Sequence, residues 1–178
     1  MPLQLSDKVR TLGEQAQGEL VDEFSRIDTI AQENTQRVLA AFQDHRVADN
    51  YFAGTTGYGY DDLGRDKLDE IYADLFGTEA ALVRIQFVNG THAIASALFG
   101  ALKAGDILVS AVGAPYDTLL GVIGTAEKGH GSLKDYGVEY RQVELVDDAP
   151  DLEGIARTAA DPKVKAVLIQ RSKGYSTR

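Results

Sequence analysis

The sequence predicts an α/β fold with a helical amino-terminal arm. Two observations carry that prediction. Beyond residue 80, short apolar runs of strand length alternate with stretches of helical spacing, whereas before residue 50 the apolar residues recur only three or four apart. Strands that alternate with helices imply crossover connections and a mainly parallel sheet.

The arm comes first. Residues 6 to about 45 contain no proline and only Gly13 and Gly18, while Leu20, Val21, Phe24, Ile27, Ile30, Ala31, Val38, Leu39 and Phe42 follow helical spacing. This predicts one long or broken amphipathic helix, capped by Ser6 and interrupted at Gly13 or Gly18. Gly54, Gly57, Gly59 and Gly64 then punctuate a stretch too rich in glycine for a regular element, and it reads as an aromatic loop. Helical spacing returns over 66–76 through Leu68, Ile71, Tyr72, Leu75 and Phe76, with Gly77 placed to stop it. Next come a strand or extended run at 81–88, a helix at 91–102, a turn at Ala104-Gly105-Asp106 and a strand at 107–112. A helix near 117–126, a strand at 138–145, a helix at 151–160 and a strand at 164–170 complete the pattern.

Composition narrows the function classes. At 178 residues, 44% of them hydrophobic and 25% charged, the chain can bury a core of its own. A formal charge of −9 means that a nucleic-acid surface or a polybasic membrane patch would need a local basic cluster, and none stands out. With no cysteine there is no disulfide framework or thiolate metal site, and the three histidines lie far apart, so no metal is expected. These features, with no signal-peptide layout and no apolar run of membrane-spanning length, lead to the expectation of a cytoplasmic protein.

The polar interruptions carry the chemistry. In an open α/β sheet, ligands bind beyond the carboxyl ends of strands, where helix amino termini offer unpaired amides. Asn89-Gly90-Thr91-His92 sits at such a place: Gly90 allows close approach of an anion, and Thr91 can supply a hydroxyl and cap the helix. A phosphate fits, although a tight turn with a threonine cap would use the same residues. His92 alone reads as a surface or packing residue. Tyr116, in the loop 110–117, can lay its ring against a flat ligand or sit half buried at a helix start. The segment Gln170-Arg171-Ser172-Lys173-Gly174-Tyr175-Ser176 adds a cation and two hydroxyls at the same sheet edge. A nucleotide site is the competitor, but GYGYDDLG at 57–64 follows no clear strand and its third glycine, Gly64, comes too late for the dinucleotide motif.

Five ordered runs, GTTGYGYDDLGRDKLDEIYADLFG, FVNGTHAIASALFGAL, GDILVSAVGAPYDTLLGVIG, GSLKDYGVEYRQV and LIQRSKGYS, resemble the pyridoxal-phosphate (PLP) proteins known as methionine gamma-lyase-like, cystathionine beta-lyase-like or aluminium-resistance proteins. The resemblance spans nearly the whole chain. It implies the fold of the aspartate aminotransferase superfamily (fold-type I), with residues 1–50 as the arm and 51–178 as the amino-terminal part of the PLP-binding large domain. It implies that Asn89, Gly90 and Thr91 receive the cofactor phosphate and that Tyr116 stacks on the pyridine ring. Tyr58, Tyr60, Arg171 and Ser172 become candidate contacts to substrate or to a neighbouring subunit. Tyr58-Gly59-Tyr60 stands where related lyases carry Tyr-x-Arg. The implied protein is a homodimer or homotetramer that eliminates thiol from cystathionine- or methionine-type substrates.

The resemblance also places two essential residues beyond residue 178: the aspartate paired with the pyridine nitrogen, and the lysine that forms the Schiff base. Lys173 aligns with an earlier loop and reads as a solvent- or substrate-facing cation. The expectation is therefore the amino-terminal part of a carbon–sulfur lyase, with no catalytic residue of its own and inactive alone. The alternative is a non-catalytic α/β assembly or small-molecule-binding subunit that uses the same anion loop.

Overall fold

A computed structural model of the chain describes residues 4–56, 58, 60, 62–126 and 130–171. The chain divides into two compact units, Met1–Arg84 and Ile85–Arg178.

The first unit is helical. Helices α1 (Asp7–Glu19) and α2 (Val21–Asp44) realise the broken amphipathic pattern, but the break falls at Leu20 and both glycines lie inside α1. Leu20 leaves helical geometry at φ −104° and ψ 6°, and its N–H turns back to the Gln17 carbonyl. Ser6 is the N-cap residue by position, yet its side chain makes no capping bond. The apolar faces of the two helices stay largely uncovered. Val9, Leu12, Phe24, Ile27, Ile30 and Leu39 are exposed, and Ala41 is the buried residue of α2.

A short 3-10 turn, Asp49–Phe52, leads towards helix α3 (Leu63–Phe76). That helix begins earlier than its apolar spacing suggests because Asp62 caps it. The buried Asp62 carboxylate accepts from the Arg65 N–H and the Thr55 hydroxyl, and it pairs with Arg65 Nε at 2.7 Å. Gly64 is thereby inside the first helical turn and not in the loop. A Cβ there would lie 2.3 Å from the Tyr51 carbonyl oxygen, so the approach of the two backbones requires glycine. Gly77 ends α3 in the left-handed region at φ 63°, with the Thr78 N–H reaching back to the Ala73 carbonyl.

The segment 81–88 is not a strand in any sheet. Asp69 on α3 takes one of its amides and one of its side chains, since Oδ1 accepts from the Val83 N–H and from Arg84 Nη1, each at 2.7 Å. The apolar residues that suggested a strand, Leu82, Ile85 and Val88, are exposed.

The second unit is a layered α/β structure. After α4 (Gly90–Ala101) come β1 (Ile107–Ser110), α5 (Asp117–Ile123), β2 (Glu139–Gln142), the two-residue strands β3 (Leu145–Val146) and β4 (Ala149–Pro150), α6 (Leu152–Ala159) and β5 (Val164–Leu168). The main sheet has the order β2-β1-β5 and is parallel throughout. Its central strand β1 is buried on both faces, as parallel strands under helical layers are. Leu108 points into a cluster with Leu98 of α4, Leu102 just after it, and Leu119 and Ile123 of α5, while Ile107 and Val109 pack with Val143 and with Ile155 of α6. The period-two alternation of one strand thus separates the two layers. A register shift between Ile107 and Leu108 leaves Lys165 as the extra residue of β5.

The strand expected over 138–145 is divided between β2 and a small antiparallel hairpin, β3-β4, whose turn residues Asp147 and Asp148 both have positive φ. Helix α5 ends before 126 because Gly124, at φ 94°, turns the chain close over Ser132.

Candidate functional site

The turn before α4 is built by Asn89. Its side-chain oxygen accepts the His92 N–H at 2.8 Å and its carbonyl accepts the Ala93 N–H, so Asn89, and not Thr91, caps the helix. The amides of Gly90 and Thr91 are the remaining first-turn donors, which have no partner within an α-helix. Asn89 and Gly90 are exposed, and nothing lies within 4 Å of where a Gly90 Cβ would stand. His92 Nδ1 accepts the Val88 N–H at 3.4 Å, and its ring meets Phe87 edge-on. This is a local, packing role.

Freed from capping, the Thr91 hydroxyl lies 2.9 Å from the hydroxyl of Thr118 in the first turn of α5. Tyr116, half-buried, occupies the N-cap position of α5 without a capping side-chain bond, and its N–H donates to Gln170 Oε1 at 2.7 Å. Two hydrogen bonds therefore connect the three loops singled out in the sequence: the start of α4, the loop after β1 and the segment after β5. Behind them the β1 loop is fixed by the buried Ser110 hydroxyl, which donates to the Gly113 carbonyl at 2.6 Å. Arg171 is exposed just after Gln170, and Ser172 and Lys173 lie outside the described residues. Tyr58 and Tyr60 belong to the first unit and are 82% and 85% exposed. Thr118 carried no signal in the sequence beyond its place two residues after Tyr116. Among the described residues, no group of three or more histidine, aspartate or glutamate side chains could hold a metal ion.

The arrangement offers hydrogen-bond donors to an anion at the head of a 12-residue helix whose partial positive charge favours it. Comparison with known proteins gives this chemistry a setting. The family model described as methionine gamma-lyase matches residues 9–178. The chain belongs to the methionine gamma-lyase family.

Among the relatives of this methionine gamma-lyase family chain, the uncharacterized protein YnbB of Bacillus subtilis (strain 168) is 49% identical over 155 residues, which is 86% of this chain and 37% of that protein. A crystal structure of a carbon-sulfur lyase involved in aluminum resistance from Clostridium novyi NT is similar with a TM-score of 0.89 at 46% identity, over 94% of this chain and 41% of that one. Another, from Clostridium acetobutylicum and named provisionally as a cystathionine beta-lyase involved in aluminum resistance, matches with a TM-score of 0.91 at 44% identity, over 97% of this chain and 42% of that one. The chain thus spans about two fifths of the length of these relatives. No helix among the described residues is long and apolar enough to cross a membrane.

Proposed function

We propose that the chain is the amino-terminal part of a PLP-dependent carbon–sulfur lyase of fold-type I, contributing the phosphate and ring contacts for a reaction on sulfur-containing amino acids. The observation that carries this reading is the Asn89-capped start of α4, with open space at Gly90 and the Thr91 hydroxyl beside it, in a chain of the methionine gamma-lyase family.

The donor set fits the phosphate end of the cofactor. The Gly90 and Thr91 amides and the Thr91 hydroxyl can each donate to a phosphate oxygen, and Asn89 keeps the turn in shape by binding the His92 N–H. Tyr116 supplies the aromatic face for the ring, its backbone held by Gln170. When bound, the cofactor acts as an electron sink that allows the α-proton to leave and a thiol to be expelled. This chain's residues bind and orient. Tyr58, Tyr60, Arg171 and Ser172 are the proposed contacts to substrate or to a neighbouring subunit. A second copy of the chain, in a cytoplasmic homodimer or homotetramer, would cover apolar surface of the kind α1 and α2 expose.

The test compares pyridoxal 5'-phosphate with pyridoxal, which lacks the phosphate. A protein that uses this site retains the phosphorylated form preferentially, and Thr91→Val narrows the preference. Equal retention of both forms by the unmodified protein contradicts the proposal.

A further inference from the structure

A hydroxyl carries one proton and two lone pairs. In the Thr91–Thr118 pair, 2.9 Å between oxygens, only one of the two can be the donor. If Thr91 donates to Thr118, its proton is spent inside the protein and an arriving anion meets a lone pair. If Thr118 donates to Thr91, the Thr91 proton is free to point at the anion, and the two hydroxyls form a chain of donors running outward. Hydrogen bonds arranged in such a chain polarise and strengthen one another.

Thr118 is placed to do this repeatedly. Its N–H donates to the neighbouring Asp117 Oδ1 at 2.7 Å, and its β-branched side chain has few χ1 choices. It stands in the first turn of α5, and α5 is held against the sheet by the buried Leu119 and Ile123. The oxygen that meets Thr91 is therefore carried by a packed element and not by a loose loop.

We infer that Thr118 is a positioning residue for the anion site: it donates its hydroxyl proton to Thr91 Oγ1 and so turns the Thr91 hydroxyl into a donor to bound phosphate. This rests on the phosphate reading of the α4 amino terminus. It adds a residue that acts through Thr91 without touching the ligand.

A double-mutant cycle read with inorganic phosphate tests it, since the cycle isolates the coupling between two residues. Phosphate affinity is measured by calorimetric titration for the chain and for Thr91→Val, Thr118→Val, Thr118→Ser and the double Thr91→Val/Thr118→Val variant, with thermal unfolding as the check on folding. Thr118→Val should weaken binding roughly fivefold, the scale of one net hydrogen bond. Thr118→Ser, which keeps the hydroxyl, should restore it. The double variant should bind no more weakly than Thr91→Val alone. If Thr118→Val does not fold, Thr118→Ala takes its place against Thr118→Ser. Wild-type affinity in Thr118→Val beside a weakened Thr91→Val overturns the inference and leaves the phosphate site standing. Additive losses in the double variant also overturn it, because Thr118 then acts independently of Thr91. Equal binding by the unmodified chain and Thr91→Val removes the Thr91 hydroxyl from the site and the inference with it, while the amide donors of the phosphate reading stay untouched.

Discussion

At the residue scale, the largest consequences come from atoms that are absent or already engaged. The Thr91 hydroxyl turns to Thr118 and not to the helix cap, because Asn89 has taken over the cap. Removing it by Thr91→Val should cost roughly 1.5 to 3 kcal/mol of phosphate affinity, the range for a hydrogen bond to a charged group. Titration with phosphate checks this, and unchanged affinity would remove Thr91 from the site. Gly64 makes the complementary case. Its missing Cβ leaves room for the Tyr51 carbonyl, so Gly64→Ala must push the 3-10 turn away from α3. A loss of about 1 to 3 kcal/mol in denaturant unfolding is expected, opposite in sign to the usual gain from replacing a helical glycine by alanine. Asp69 adds a pH dependence. Burial raises its carboxyl, but the Arg84 guanidinium and the Val83 amide outweigh that and hold it below the ordinary carboxylate value. Because the folded form binds its proton less readily than the unfolded chain, this contribution to stability is present above the ordinary carboxylate range and is lost as pH falls through the lowered value. Asp69→Asn should therefore reduce stability at neutral pH and flatten its acid dependence. A parallel decline with acid in both proteins would remove Asp69 as a cause.

At the element scale, α4 and α5 present the candidate site as a pair, and their starts can be tested apart from their packing. Tyr116→Ala in a PLP-loaded protein should weaken cofactor retention. Tyr136→Ala is the control, for Tyr136 is exposed in a connecting segment and meets Phe99 edge-on at 5.6 Å, so it loses an aromatic pair and nothing at the candidate site. Equal effects on retention would mean that stability, and not ring contact, explains Tyr116. The same pair of helices shows how far the sequence could be read. Helix α4, strand β1 and the parallel alternation were legible because long periodic runs and Gly-rich turns are local signals. The choice of Asn89 over Thr91 as the cap was not, since both residue types cap well and only the chain path decides. Residues 81–88 had the composition of a strand, yet they join no sheet, and the Val83 N–H goes instead to the Asp69 side chain, more than ten positions away. The β3-β4 hairpin was hidden because Asp147-Asp148 lacks the glycine that usually marks such a turn. The break at Leu20 similarly ignores the two glycines that propensity would choose.

At the scale of the whole molecule, apolar surface without cover is the dominant feature. Phe24, Ile27, Ile30 and Leu39 are exposed on α2, Val9 and Leu12 on α1, and Val167 and Ile169 in and just after β5, an edge strand among the described residues. Full burial of such a side chain is worth about 1.5 to 3 kcal/mol, and these are about half exposed, so each stands to gain roughly half of that by meeting another surface. The expectation is that these 178 residues, expressed alone, self-associate and unfold with low cooperativity. The formal charge of −9 opposes close association at low ionic strength, so the association should strengthen as salt screens it. Phe24→Asp together with Ile27→Asp should reduce it, because both substitutions place a charge where apolar contact would form. Light scattering across a salt series and thermal unfolding decide these points. A monodisperse monomer with one sharp unfolding transition would show that the exposed faces need no partner.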